Sequence, residues 1–370
     1  MGLTSRKVLA LAVLLAVLLF VVTVWLWPRL SPRTPRAVLG RVGLLFATQL
    51  AVFAAVGLAA NHSFLFYGSW ADLLGRKQDL GAVLDHSAGG RQLTVVEKQS
   101  PPVPGGSQPT AGGQIHKIAV GGEKSGIDSS ALVYLPPEYF RPQYARKTFP
   151  AAVVLTGYPG TAENLITGLQ YPKTAWQLAR DGKMQPMILV MLRPTVAPPR
   201  DTECVDIPDG PQTETFFAKD LPTAVSQTYR VGTAPRNWGF IGNSTGGYCA
   251  LKIALHHPER FSAGAGLSAY YKAAVDPTTG DLFHGDQQLR NRADLLWSLD
   301  HLPQGASSLL VTSSKKGEGN LKATRKFIGK VRAPARVSSI ILDSGGHNFN
   351  TWRREVAPVL EWMGGRLSPN

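Results

Sequence analysis

The hexapeptide Gly242-Asn243-Ser244-Thr245-Gly246-Gly247 does most to limit what this chain can fold into. Apolar residues 238–241 before it read as a short strand, and the run GGYCALKIALHH after it reads as a helix that opens at once. A strand turning directly into a helix belongs to an α/β architecture. The turn must be very sharp, bringing together the residues two before and two after Ser244. Glycine at 242 and 246 removes the Cβ clash there. Ser244 then sits on a strained backbone with its hydroxyl at the top of a sheet, the G-x-S-x-G pattern of a nucleophile elbow. The helix behind it adds oriented N–H groups and positive potential, so the Thr245 backbone N–H is the natural first donor to an oxyanion. The plainer alternative is a glycine-rich turn that only packs a helix on a strand.

From residue 115 onward, strand-like runs at 131–135, 151–155, 187–192, 238–241, 263–267, 308–312 and 337–342 alternate with helix-like stretches. Examples of the latter are 164–179, 216–229 and 247–256. Continuous apolar strands between helices predict a mostly parallel sheet covered on both faces.

A serine hydroxyl needs a base. Of the eight histidines, His62 and His86 precede the domain, and His116 lies in an early strand-like segment. His256 and His257 read as a cationic cap on the helix after Ser244, and His284 and His301 sit in polar stretches. His347 follows the run 337–342 in the loop DSGGHN, where an α/β sheet can present a base beside its neighbour strands. The third member should lie between Ser244 and His347 in chain order, after a strand. The loop 313–320 after 308–312 holds one carboxylate, Glu318, which would orient the imidazole. Asp343 is the runner-up, too close in sequence to His347 to reach its ring easily. A second oxyanion donor is expected in the loop TGYPGT after 151–155. Tyr158 offers a backbone N–H there, and Pro159 has none to offer.

The blocks ALVYLPPEYF, FPAAVVLTGYPGT, WGFIGNSTGGYCALKIALHHPERFSAGAGLSAYY and GGHNFNTW together resemble the putative-esterase family, in that family's order, over about residues 115–365. The family includes mycolyltransferases and S-formylglutathione-hydrolase-like esterases. The resemblance implies an α/β-hydrolase fold, the triad Ser244, Glu318 and His347, and acyl-ester chemistry without metal or cofactor. It departs from the family in two places. The acid loop is lysine-rich and carries glutamate instead of the commoner aspartate, and the loop 198–212, with Asp201, Glu203 and Asp206, has no counterpart.

Ahead of this domain lie two long apolar runs. Residues 8–27 carry no charge, enough for a helix to span the roughly 30 Å hydrocarbon core. Trp25 and Trp27 close the run and Pro28 stops it. A second run covers 42–60, followed by Phe64, Phe66, Tyr67 and Trp70 as an interfacial cluster. A signal peptide would have a shorter apolar region and a small-residue cleavage site, whereas Trp-Pro-Arg follows here. The connecting loop carries Arg29, Arg33, Arg36 and Arg41, against Arg6 and Lys7 in the tail, so it should stay cytoplasmic and the rest should lie outside. Arg76 and Lys77 pull the other way. The expected organisation is a membrane anchor at 1–77, a Pro/Gly-rich linker at 78–114 and the esterase-like domain at 115–370; within the linker, 92–97 alternates as a first strand could, and 99–114 reads as a flexible spacer or long loop.

With two cysteines, a zinc ribbon or a disulfide-dense scaffold is excluded. Outside the cell, Cys204 and Cys249 would form a disulfide. The alternative is a pair of buried thiols acting as small hydrophobes. Lys plus Arg is 39 and Asp plus Glu is 25, a net charge of +14. Lys315, Lys316, Lys322, Arg325, Lys326, Lys330, Arg332 and Arg336 cluster without an interleaved aromatic platform, so a basic face toward anionic lipid or a cell-wall polymer is expected, with no nucleic acid as partner. The function expected is a membrane-anchored extracytoplasmic serine esterase or acyltransferase acting on a small-molecule or lipid acyl ester. The competing reading is a non-catalytic wall- or lipid-binding module on a hydrolase scaffold.

Overall fold

The computed structural model describes residues 5–64, 70, 93–198 and 200–369. It divides into two compact units, Met1–Asp79 and Leu80–Asn370. The first is a helical hairpin of α1 (Arg6–Leu26) and α2 (Pro35–Phe64), which bracket the two expected apolar runs. A 3-10 turn, Pro28–Leu30, joins them, and Pro28 has no N–H with which to continue α1. Small residues let the helices approach: Ala16, Ala51 and Ala55 form their shared core. The Thr23 and Thr48 hydroxyl oxygens lie 2.9 Å apart across this contact, and each is also within hydrogen-bond distance of the carbonyl four residues earlier, with one proton apiece to share between the two. Large apolar side chains face outward instead, with Leu14 and Phe53 exposed by 64% and 77%. Both helices are long and apolar enough to cross a membrane. Phe66, Tyr67, Arg76, Lys77 and His86 lie outside the described residues.

The second unit is built on one nine-stranded sheet in the order β1-β2-β3-β5-β4-β6-β7-β8-β9. Its strands are β1 (Leu93–Gln99), β2 (Gln114–Gly121), β3 (Asp128–Leu135), β4 (Ala151–Leu155), β5 (Ile188–Leu192), β6 (Trp238–Asn243), β7 (Ala263–Leu267), β8 (Ser308–Ser314) and β9 (Arg336–Leu342). β1, β2, β3 and β5 pair antiparallel, and everything from β5 through β4 to β9 is parallel. Every residue of β4, β5, β6 and β7 is buried. Successive side chains point to opposite faces, so both faces of the central sheet are covered. This is the mostly parallel, doubly covered sheet expected from the strand–helix alternation, and the α/β-hydrolase fold that the resemblance implies.

The helices of this unit are α3 (Ala162–Thr167), α4 (Tyr171–Arg180), α5 (Leu221–Thr228), α6 (Thr245–His256), α7 (Gln287–Arg292), α8 (Leu295–His301), α9 (Leu321–Lys330) and α10 (Phe349–Gly364). α6 packs on β6 and β7, α9 on β8, and α10 on β7 and α4. The expected helix over 164–179 is two pieces, because Gln170 takes a left-handed conformation (φ 59°) and Pro172 starts a new first turn.

Part of the expected linker belongs to the second unit: residues 93–99 are a strand, as the alternation over 92–97 allowed, and the stretch between it and β2 is a long loop and not a free spacer. β1 pairs with β2 as the first strand of the sheet, and the stretch after it is docked on the domain. The Trp176 indole N–H donates to the Ala111 carbonyl at 2.9 Å, and Arg141 Nε donates to the Thr110 carbonyl at 3.0 Å. Proline and glycine here shape a packed turn: Pro101, Gly106 and Gly112 are all buried. The remaining expected linker residues, 78–92, lie outside the described ones.

Candidate active site

The parallel half of the sheet delivers one loop each from β4, β6, β7, β8 and β9 to the same edge, the carboxyl ends of the strands. Ligands of open α/β sheets bind at this edge. Ser244 follows β6 and is the residue just before α6, with φ 55° and ψ −122°. This is a strained backbone for a non-glycine residue. It survives because the neighbours are glycines. A methyl group on Gly242 would stand 2.1 Å from the Gly246 carbonyl oxygen, and one on Gly246 would stand 2.4 Å from that of Thr156.

His347 follows β9, and its Nε2 lies 2.8 Å from the Ser244 Oγ. Asn348 caps α10 right after it, accepting from the N–H groups of Asn350 and Thr351 at 3.0 and 3.1 Å. The Trp352 indole stands edge-on to the imidazole, 5.1 Å between ring centroids. His347 is exposed at the rim. Burial of its inner side nevertheless lowers its pKa below the ordinary 6.5, and the charge of Glu318 opposes that shift. At neutral pH the ring is therefore unprotonated and able to accept a proton.

Glu318 lies in the loop after β8. That loop is clasped to the histidine loop: Gly345 N–H donates to the Lys316 carbonyl at 3.0 Å. Gly317 takes φ 94°, and a side chain there would come within 2.2 Å of the Gly345 carbonyl oxygen. Glu318 Oε1 accepts a hydrogen bond from the Ser268 hydroxyl. Its Oε2 is buried with no hydrogen-bond partner among the described residues. The carboxylate thus acts on His347 through its charge and is anchored through Ser268. Asp343 is turned away in an exposed ion pair with Lys315 at 2.7 Å.

The loop after β4 closes the other side. A methyl group on Gly157 would stand 2.8 Å from the Ser244 Cβ, which puts the main chain at Gly157 directly against the serine. Tyr158 is the next residue in that loop. Thr245 is the first residue of α6, so its N–H belongs to the unsatisfied set at a helix start.

Cys204 and Cys249 are joined in a disulfide, Cα atoms 5.7 Å apart. It pins the acidic loop to α6, behind Ser244. Lys252, fully buried, donates to the Cys204 carbonyl and to Glu214 Oε2 at 2.6 Å. Burial alone would raise the Glu214 pKa, but Lys252 and the contacts from His256 and His257 override it and hold the carboxyl well below the ordinary range. His256 is not the cationic cap expected of it. Its ring is buried, which lowers its pKa to about 4 and leaves it neutral. His116 is likewise structural, bonded to the Tyr229 hydroxyl at 3.0 Å and to Gln114 at 2.8 Å.

In the acidic loop, burial pushes Glu203 up to about 8 and Asp201 up to about 6. Tyr270 donates to Glu203 Oε1 at 2.5 Å and also meets the Thr245 side chain. The loop therefore touches the residue after the serine through one tyrosine. Asp206 instead holds the start of the next helical turn through Thr215, at 2.9 and 2.7 Å. Among the described residues, no group of His, Cys, Asp and Glu could hold a metal ion. Sequence reasoning missed Ser268, Trp352 and Tyr270, although all three lie in the blocks quoted above.

Glu318→Gln removes the charge that raises the His347 pKa. We expect the acidic limb of its kcat/KM profile to shift to lower pH, with kcat down by about 10²-fold. A profile unchanged in position would mean that Glu318 does not act on His347.

The sequence model of the family described as "Putative esterase" matches residues 123–363. An uncharacterised protein of Corynebacterium glutamicum is 27% identical over 256 residues, 65% of this chain and 58% of that protein. The MPT51 antigen of Mycobacterium leprae is 34% identical over 77 residues, 21% of this chain and 25% of the antigen. The chain therefore spans less than two thirds of the length of either relative. An S-formylglutathione hydrolase from Agrobacterium tumefaciens superposes with a TM-score of 0.55 at 17% identity, over 74% of this chain and 99% of the hydrolase. At that identity the likeness speaks for the fold.

Proposed function

The chain belongs to the putative-esterase family, and from that premise we propose that it is a membrane-anchored, extracytoplasmic serine esterase or acyltransferase working through an acyl-enzyme on Ser244. The observation that carries the reading is the 2.8 Å contact between Ser244 Oγ and His347 Nε2, made by a serine on a strained turn between strand and helix.

In the proposed cycle, Ser244 Oγ attacks the ester carbonyl while His347 Nε2 takes its proton. The resulting oxyanion sits between the N–H groups of Thr245 and Tyr158. His347 then returns the proton to the departing alcohol, leaving the acyl group on Ser244. Water completes hydrolysis, and a sugar or other alcohol completes transfer. Glu318 stabilises the imidazolium while it exists.

Three features support the location. Two long helices turn apolar side chains outward, arginines 29, 33, 36 and 41 fall in or beside their connection, and the only two cysteines are bonded. Disulfides persist in oxidising compartments. The basic residues on and after α9, of which Lys322, Arg325, Lys326, Arg332 and Arg336 are exposed, suit anionic lipid or wall polymer.

The test is labelling of the full-length protein in membranes by a fluorophosphonate probe. Labelling that maps to Ser244 and is lost in Ser244→Ala supports the reading. No labelling at all would favour a binding module on a hydrolase scaffold. Protease added outside sealed cells should cleave the domain; complete protection would reverse the orientation.

A further inference from the structure

Ser268 directly follows β7, between the strands that carry the serine and the acid, and nothing in its residue type announces a role. It is buried, and its backbone takes φ 47°, a left-handed conformation that non-glycine residues rarely adopt. Its N–H and its hydroxyl are both engaged. Its N–H donates to Thr312 Oγ1 at 2.9 Å, and Thr312 in turn donates to Glu355 Oε2 at 2.9 Å. Its hydroxyl oxygen accepts from the Trp352 indole N–H at 2.8 Å. An indole N–H can only donate, so the direction of the chain is fixed. The serine's single proton is left for Glu318 Oε1, which it meets directly.

We propose that Ser268, oriented by Trp352, is a positioning residue that holds Glu318 by one oxygen and turns the other toward the His347 side of the site. This rests on the esterase reading above. Three observations converge on it. Among the described residues, the only hydrogen bond to the Glu318 side chain is the one from Ser268. The other carboxylate oxygen, Oε2, is buried and unpartnered, so it has no competing tie. The same indole that orients Ser268 also packs edge-on against the His347 ring, so one side chain sets both the acid, through Ser268, and the base, by contact. A carboxylate that loses its one hydrogen bond is free to swing, and an acid that swings no longer fixes the orientation of its imidazole.

The experiment is a double-mutant cycle on the full chain in detergent, with p-nitrophenyl ester turnover and the rate of fluorophosphonate labelling as readouts. Ser268→Ala keeps the same backbone demand as serine, since both carry a Cβ. It should lower kcat about 10- to 100-fold with KM within about twofold, and slow labelling in parallel. In a Glu318→Gln background the same substitution should cost less than about twofold, because a residue that acts through another adds nothing once that other is gone. Trp352→Phe keeps an aromatic ring but removes the donor. It should show a smaller loss with the same dependence on Glu318. Equal losses with and without the Glu318 carboxylate would overturn the proposal, as would unchanged kcat in both variants. Should the unmodified protein fail to label, the esterase reading and this one fall together. A labelled parent with additive losses sinks the role of Ser268 alone.

Discussion

Ser244→Ala is expected to lower kcat for ester turnover by about 10⁶-fold and to abolish covalent labelling, while the protein stays folded. The size follows from the arrangement. Among the described residues, that hydroxyl is the one hydrogen-bond partner of His347 Nε2, so on the proposed reading its loss leaves the imidazole no nucleophile to activate. The proposed oxyanion site would survive the change, so a residual rate above the uncatalysed reaction should remain. Folding should not suffer. Ser244 sits at φ 55°, and alanine meets the same backbone demand. Turnover within about tenfold of the parent would show that another residue carries the acyl group.

The second large effect concerns stability. Replacing both Cys204 and Cys249 by serine should lower unfolding free energy by about 4 kcal/mol in the chain-entropy model, given the sequence separation of 45 residues. Urea unfolding of detergent-solubilised protein, with and without reductant, reads this directly. The loss should reach the site as well. The disulfide seats the loop carrying Glu203, whose carboxylate holds Tyr270, which touches Thr245 beside the nucleophile. Lys252 still grips the Cys204 carbonyl, so activity should fall less steeply than stability. A midpoint that does not move on reduction would mean the bond contributes nothing.

Much of the sheet was legible because a buried parallel strand is a short apolar run, and this pattern survives without any knowledge of partners. β4, β5, β6 and β7 show it plainly. The serine was legible for a different reason, since Gly242 and Gly246 are a steric requirement written directly into the sequence. His347 could be found by chain order and position after a strand. What failed was whatever depends on packing. The stretch 99–114 is rich in Pro and Gly, a composition shared by spacers and by tight docked turns, and only its contacts with Arg141 and Trp176 distinguish them. His256 sits where a cap would, yet burial makes it neutral. Ser268 carries no sequence signal, because its importance comes from three neighbours that are 44 to 84 residues away in the chain.

The hydrogen bond from the Gly345 N–H to the Lys316 carbonyl has a mechanical result. It ties the loop of Glu318 to the loop of His347, so on the proposed reading acid and base share one wall of the cleft. The segment after β4 forms the opposite wall and meets the serine with bare main chain at Gly157. Admission of a substrate would then fall to that second wall.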